Sequence, residues 1–99
     1  MAGVMMGFRL RLQFPGCRTL KDRRSIVSSL VQGARSRHGF SAADFSEPIK
    51  VDYAEVALAA VGQSEAEIRL RLDRVVSTLD SAGEVEVLGI EEHRMAEGG

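Results

Sequence analysis

A chain of 99 residues is long enough for one hydrophobic core and too short for two, and 44% hydrophobic with 27% charged residues excludes wholesale disorder. The single cysteine, Cys17, rules out an internal disulfide and any paired-thiolate metal or redox motif. No uncharged stretch approaches the roughly 20 apolar residues of a spanning helix, and Met1 to Met6 lack the charged start and long apolar run of a signal peptide, so a cytoplasmic address without a membrane partner is expected.

The net charge of −1 conceals a split. Residues 1–43 hold eight Lys/Arg against Asp22 alone, about +7, whereas residues 44–99 hold five against thirteen acids, about −8. No repeat or Pro/Ser-rich linker divides the chain. A single domain over residues 1–95 is expected, with 96–99 (Ala96 to Gly99) as a loose tail.

Met6, Phe8, Leu10, Leu12 and Phe14 alternate with Gly7, Arg9, Arg11 and Gln13, the period of a strand with one buried face, which Pro15 and Gly16 end. A helix follows from about Leu20 to His38, with Thr19 as its cap, Leu20, Val27, Leu30, Val31 and Ala34 on one face, and Gly39 as its terminator. Phe40 to Phe45 reads as a short strand, Ser46 to Lys50 with Pro48 as a turn, and Val51 to Val61 as a longer strand. Ser64 and Glu67 form a capping box, after which Ile68, Leu72, Val75, Val76 and Leu79 keep helical spacing up to Ala82 and Gly83. Val85, Val87 and Ile90 mark a last strand whose alternation slips at Leu88-Gly89, as a β-bulge would make it do. The order βαββαβ predicts an α+β, ferredoxin-like fold: a four-stranded antiparallel sheet in the order 4-1-3-2 with two helices on one face.

The segment Thr19-Leu20-Lys21-Asp22-Arg23-Arg24-Ser25, preceded by Phe14-Pro15-Gly16, resembles the pattern P-G-x-x-S/T-L-K-[DE]-[KR]-R-S of the YlxP-like family of small bacterial domains of unknown function. The likeness continues through Ala54-Glu55-Val56-Ala57-Leu58-Ala59 and the Val85-Glu86-Val87 strand, so it covers about residues 6–92. It implies the fold already reached from periodicity, a bacterial cytoplasmic protein, and a role near RNA or the ribosome, since the family's genes commonly sit among those for translation initiation and ribosome assembly. Between Asp44 and Asp52 the chain departs from the pattern: many relatives carry D-x-x-x-x-W, and here Ser46 to Ile49 stand without a tryptophan.

Three cations crowd the first turn of the first helix. Lys21, Arg23 and Arg24 lie where free amides already present positive potential, a placement that costs roughly 0.3–1 kcal/mol per charge unless an anion is near. Together with Arg18 before the helix and Arg35 and Arg37 at its end, they form a stripe suited to RNA phosphates, of ribosomal RNA or a ribosomal subunit. The competing reading is a solvated face, with Arg23 snorkelling past the sheet edge. A further alternative is a dimeric domain that encloses an anionic metabolite beside the first helix.

On the open sheet face, Arg9 and Arg11 are expected to be flanked by Glu55 and by Glu84 or Glu86. Tyr53 is the one aromatic expected there, too few for the base-stacking platform of RNA-recognition sheets. With Arg9, Arg11, Ala57 and Ala59 it would suit a facing copy of the chain, hence a homodimer. Cys17 has no histidine near it in sequence, His38 and His93 fall at element ends, and no Gly-rich phosphate loop or metal-ligand spacing occurs. The expectation is a binding domain without catalytic residues, cofactor or metal.

Overall fold

The structure is a computed structural model that describes residues 3–95; the tail expected at 96–99 lies outside them. Six elements follow one another: β1 (Val4–Gln13), α1 (Leu20–His38), β2 (Ser41–Asp44), β3 (Tyr53–Gly62), α2 (Glu65–Ala82) and β4 (Glu86–Met95). The strands form one antiparallel sheet in the order β2-β3-β1-β4, as the sequence predicts.

Both helices cover the same face, because strand alternation places most of the large apolar side chains of the central strands there. On β1 and just beyond it Met6, Phe8, Leu10, Leu12 and Phe14 are buried, as are Ala54, Val56, Leu58 and Ala60 on β3. Val27, Leu30, Val31 and Ala34 of α1 and Ile68, Leu72, Val75 and Leu79 of α2 close the core from above. Phe8 meets Phe40 edge to face, with centroids 6.3 Å apart, so Phe8 packs rather than presenting a ring to a ligand.

The helix ends follow their expected chemistry. Thr19 Oγ1 accepts from the Asp22 amide at 3.1 Å and Ser64 Oγ from the Glu67 amide at 3.2 Å. The Glu67 carboxylate does not complete the reciprocal half of a capping box. It accepts instead from the Gln63 amide at 3.1 Å and from Arg71 at 2.9 Å. Gly39 takes the left-handed conformation (φ 69°) that lets α1 stop and the chain turn into β2.

The bulge falls at the expected place: Arg11 pairs with Gly89 and Leu12 with Val87, so Leu88 is the extra residue. Val85 lies just before β4. Ile90 is paired with Leu10 yet is 43% exposed, because α2 does not reach fully over this edge strand. A surface network fastens it instead: Arg69 donates to both carboxylate oxygens of Glu92, at 3.2 and 2.7 Å, and Glu65 pairs with Arg69 and Arg94.

Candidate nucleic-acid interface and the open sheet face

The six cations of the expected stripe divide into four environments. Arg18, Lys21 and Arg24 are exposed at the start of α1. Among the described residues they make no ion pair. Arg35 lies on the same side near the far end of the helix, where its Nη2 donates to the Ala42 carbonyl at 2.7 Å and pins α1 to β2. Arg37 departs from the stripe. It borders the groove between the helices with His38, Arg71 and Arg74, because thirteen residues after Arg24 the helix has turned its side chains toward α2.

Arg23 corrects the expectation most clearly. It is 2% exposed and belongs to the core side of α1 rather than to a phosphate-binding surface. Its Nη1 donates to the carbonyls of Glu47 (2.8 Å), Lys50 and Tyr53 (3.3 Å), holding the segment between β2 and β3. The Arg23 Nε is buried without a hydrogen-bond partner. The guanidinium therefore serves as a knot for the segment between β2 and β3, and the aliphatic stem alone is what passes along apolar surface.

Beside the start of α1 lies a cleft of about 500 Å³ bordered by Cys17, Asp22, Ser25 and Glu84. Burial pushes the Cys17 thiol above its ordinary value, and the charges of Asp22 and Glu84 push it further. Asp22, in the first turn of α1, thus adds negative charge to this cleft. Among the described residues no group of three or more His, Cys, Asp and Glu side chains is placed to hold a metal ion.

The open face of the sheet carries Arg9, Arg11, Tyr53, Glu55, Ala57 and Ala59, as the alternation predicts. Arg9 lies 3.7 Å from Glu55. The acid opposite Arg9 on β4 is Glu91, not Glu84 or Glu86: Glu84 precedes the strand at the cleft, and Glu86 pairs with Gln13. Glu91 in turn sits 2.6 Å from His93. Arg11 lies across Gly89, where a Cβ would come within 2.5 Å of its Nη2. The Tyr53 hydroxyl donates to Glu55 at 3.0 Å; partial burial, then this hydrogen bond and the Glu55 charge, raise its pKa.

Phe45 was not expected on this face. It is 53% exposed, with the Arg9 guanidinium 5.5 Å from its ring centroid. The signal was present in its parity with Ala43, which pairs with Ala57, but it depends on a register that sequence alone leaves open. Phe45 stands at the sheet edge and Tyr53 is tied down, so the central strands still offer no stacking platform.

The model of a family known only as a protein of unknown function, DUF503, matches residues 5–92. The chain belongs to the DUF503 family. No curated protein matches it. Among solved structures, this DUF503 chain is similar to a candidate antibiotic biosynthesis monooxygenase from Chloroflexus aurantiacus, with 21% identity, TM-score 0.62 and coverage of 96% of this chain and 95% of the other. A structural-genomics protein, YJCS, is 10% identical with TM-score 0.62 over 93% and 99% of the two chains. A de novo designed protein, Foldit4, is 12% identical with TM-score 0.54 over 95% and 97%. At these identities the likeness establishes the ferredoxin-like fold alone. Among the described residues no helix is long and apolar enough to cross a membrane.

Proposed function

We propose that this DUF503 domain is a non-enzymatic, cytoplasmic binding domain that contacts RNA phosphates, of ribosomal RNA or a ribosomal subunit, through the exposed face at the start of α1. The observation that carries the reading is the trio Arg18, Lys21 and Arg24, exposed and without an acidic partner among the described residues, at the positive end of a 19-residue helix. Cations at that end repel the helix dipole, and an incoming phosphate relieves the repulsion. The YlxP-like resemblance supports the same direction. Arg35 lends charge from the far end of the same side, while Arg23 and Arg37 take no part.

The sign of the neighbouring cleft speaks against an enclosed anionic metabolite, because Asp22 and Glu84 border it. Filter binding of ribosomal RNA across a salt series tests the proposal. Affinity should fall steeply with salt, and Lys21→Ala/Arg24→Ala should weaken binding and flatten the log–log salt slope by about two, one per lost phosphate contact. Arg37→Ala should bind like wild type. Absent or salt-independent binding overturns the reading, as does a thermal-shift response to one phosphorylated metabolite in a protein with no RNA affinity.

A further inference from the structure

We propose that a second copy of the chain docks on the open sheet face about a two-fold axis that runs between β1 and β3, parallel to both. The sheet order makes β1 and β3 the two central strands, so this line is the midline of the sheet. Rotation about it exchanges the two strands while keeping each residue at its own level. Every β1 residue then comes over the β3 residue with which it pairs in its own chain.

That register decides the contacts. Gly7 comes over the partner's Ala59, Arg9 over the partner's Ala57, and Arg11 over the partner's Glu55. Long side chains thus meet short ones, and the central cation meets the central acid twice, once on each side of the axis. An axis across the strands would instead lay each strand on its own copy, with the Arg9–Arg11 row against itself. Charge complementarity therefore selects the axis along the strands.

The outer strands follow the same rule. Phe45 continues β2 at the level of Glu55, its amide donating to the Glu55 carbonyl at 2.8 Å, and that level on β4 is Gly89. The rotation brings β2 over the partner's β4, so Phe45 comes over the partner's Gly89, where a flat guanidinium from the partner's Arg11 covers a position without a side chain. Phe45 thereby acquires a partner for a ring that is half exposed in the single chain.

The face is large enough. Ten residues in each of β1, β3 and β4 and four in β2, each covering about 3.4 Å by 4.8 Å, make a face of roughly 550 Å², on the order of 1,000 Å² buried for the pair, the lower bound for a specific interface. Met5 and Val61, the latter 67% exposed, add apolar area at one end.

Sedimentation of the full chain, without nucleic acid, tests the inference independently of RNA binding. Wild type should sediment at twice its 10.8 kDa at high micromolar concentration. Arg11→Glu and Glu55→Arg should each sediment as monomers with unchanged circular dichroism. Mixed in equal amounts they should return to the dimer mass, because only the mixed pair restores opposite charges at both contacts across the axis while leaving like charges within each chain. A monomeric wild type, single variants that remain dimeric, or folded variants that fail to associate on mixing would each overturn the inference.

Discussion

Replacing Arg23 by methionine separates the structural role of this cation from the surface charge of its neighbours. Methionine retains most of the apolar stem, so little cavity forms, but the three carbonyls of Glu47, Lys50 and Tyr53 lose their charged donor. A hydrogen bond to a charged group contributes about 1.5–3 kcal/mol when one partner is removed. Full addition would overstate the loss, because the buried guanidinium pays desolvation with no ion pair among the described residues and an unpaired Nε, and because the exposed loop can recover water. The net cost is about 2–4 kcal/mol, which for a domain of this size lowers the melting temperature by roughly 10–20 °C. Urea denaturation followed by far-UV circular dichroism measures it, and native-state hydrogen exchange should show the segment from Ser46 to Tyr53 losing protection first. Arg24→Met, on the exposed side of the same helix, should stay within about 0.5 kcal/mol of wild type. If Arg23→Met also stays within that range and the loop keeps its protection, Arg23 does not knot the loop.

Two glycines at α1 should respond oppositely to alanine. Gly33 lies inside the helix with open space where its Cβ would go, so Gly33→Ala should stabilise by about 0.5–1 kcal/mol, whereas Gly39→Ala should cost about 1 kcal/mol at φ 69°; thermal melts that show the same sign for both would refute the assignment. The hydrogen bond from Arg69 holds Glu92 below its ordinary value of 4.5, so its contribution is present above that pH and is lost as pH falls through the lowered folded value. The stability difference between wild type and Glu92→Gln should therefore be level near neutrality and shrink on acidification below 4.5, and a difference that grows in acid would contradict it.

The secondary structure and its order were legible because their signals are local. Strand alternation from Met6 to Phe14, the caps at Thr19 and Ser64, and the stops at Gly39 and Gly83 each depend on residues within a turn or a few positions of one another. Even the bulge at Leu88-Gly89 showed as a slip in that alternation. The fold class followed, since βαββαβ with one apolar face per strand leaves few ways to bury those faces together.

The fate of each charged side chain was decided elsewhere. Periodicity placed Arg23 near the buried side of α1, but whether it reached solvent depended on a loop 24 to 30 residues away whose carbonyls meet it only in the folded chain. Arg37 leaves the stripe by the helix's own rotation, which periodicity already contains, but that the side it turns to is a groove against α2, and that Arg35 is engaged because β2 lies within reach of its guanidinium, are tertiary facts. Glu86 falls opposite Gln13, and the bulge then shifts the β4 register by one residue, so that Glu91 faces Arg9 where an unbroken ladder would place Ile90; a one-residue shift changes which side chains share a face. Sequence alone determined which residues could be buried and with what period; only tertiary contact, which joins groups distant in the chain, decided which cations are left to meet a partner.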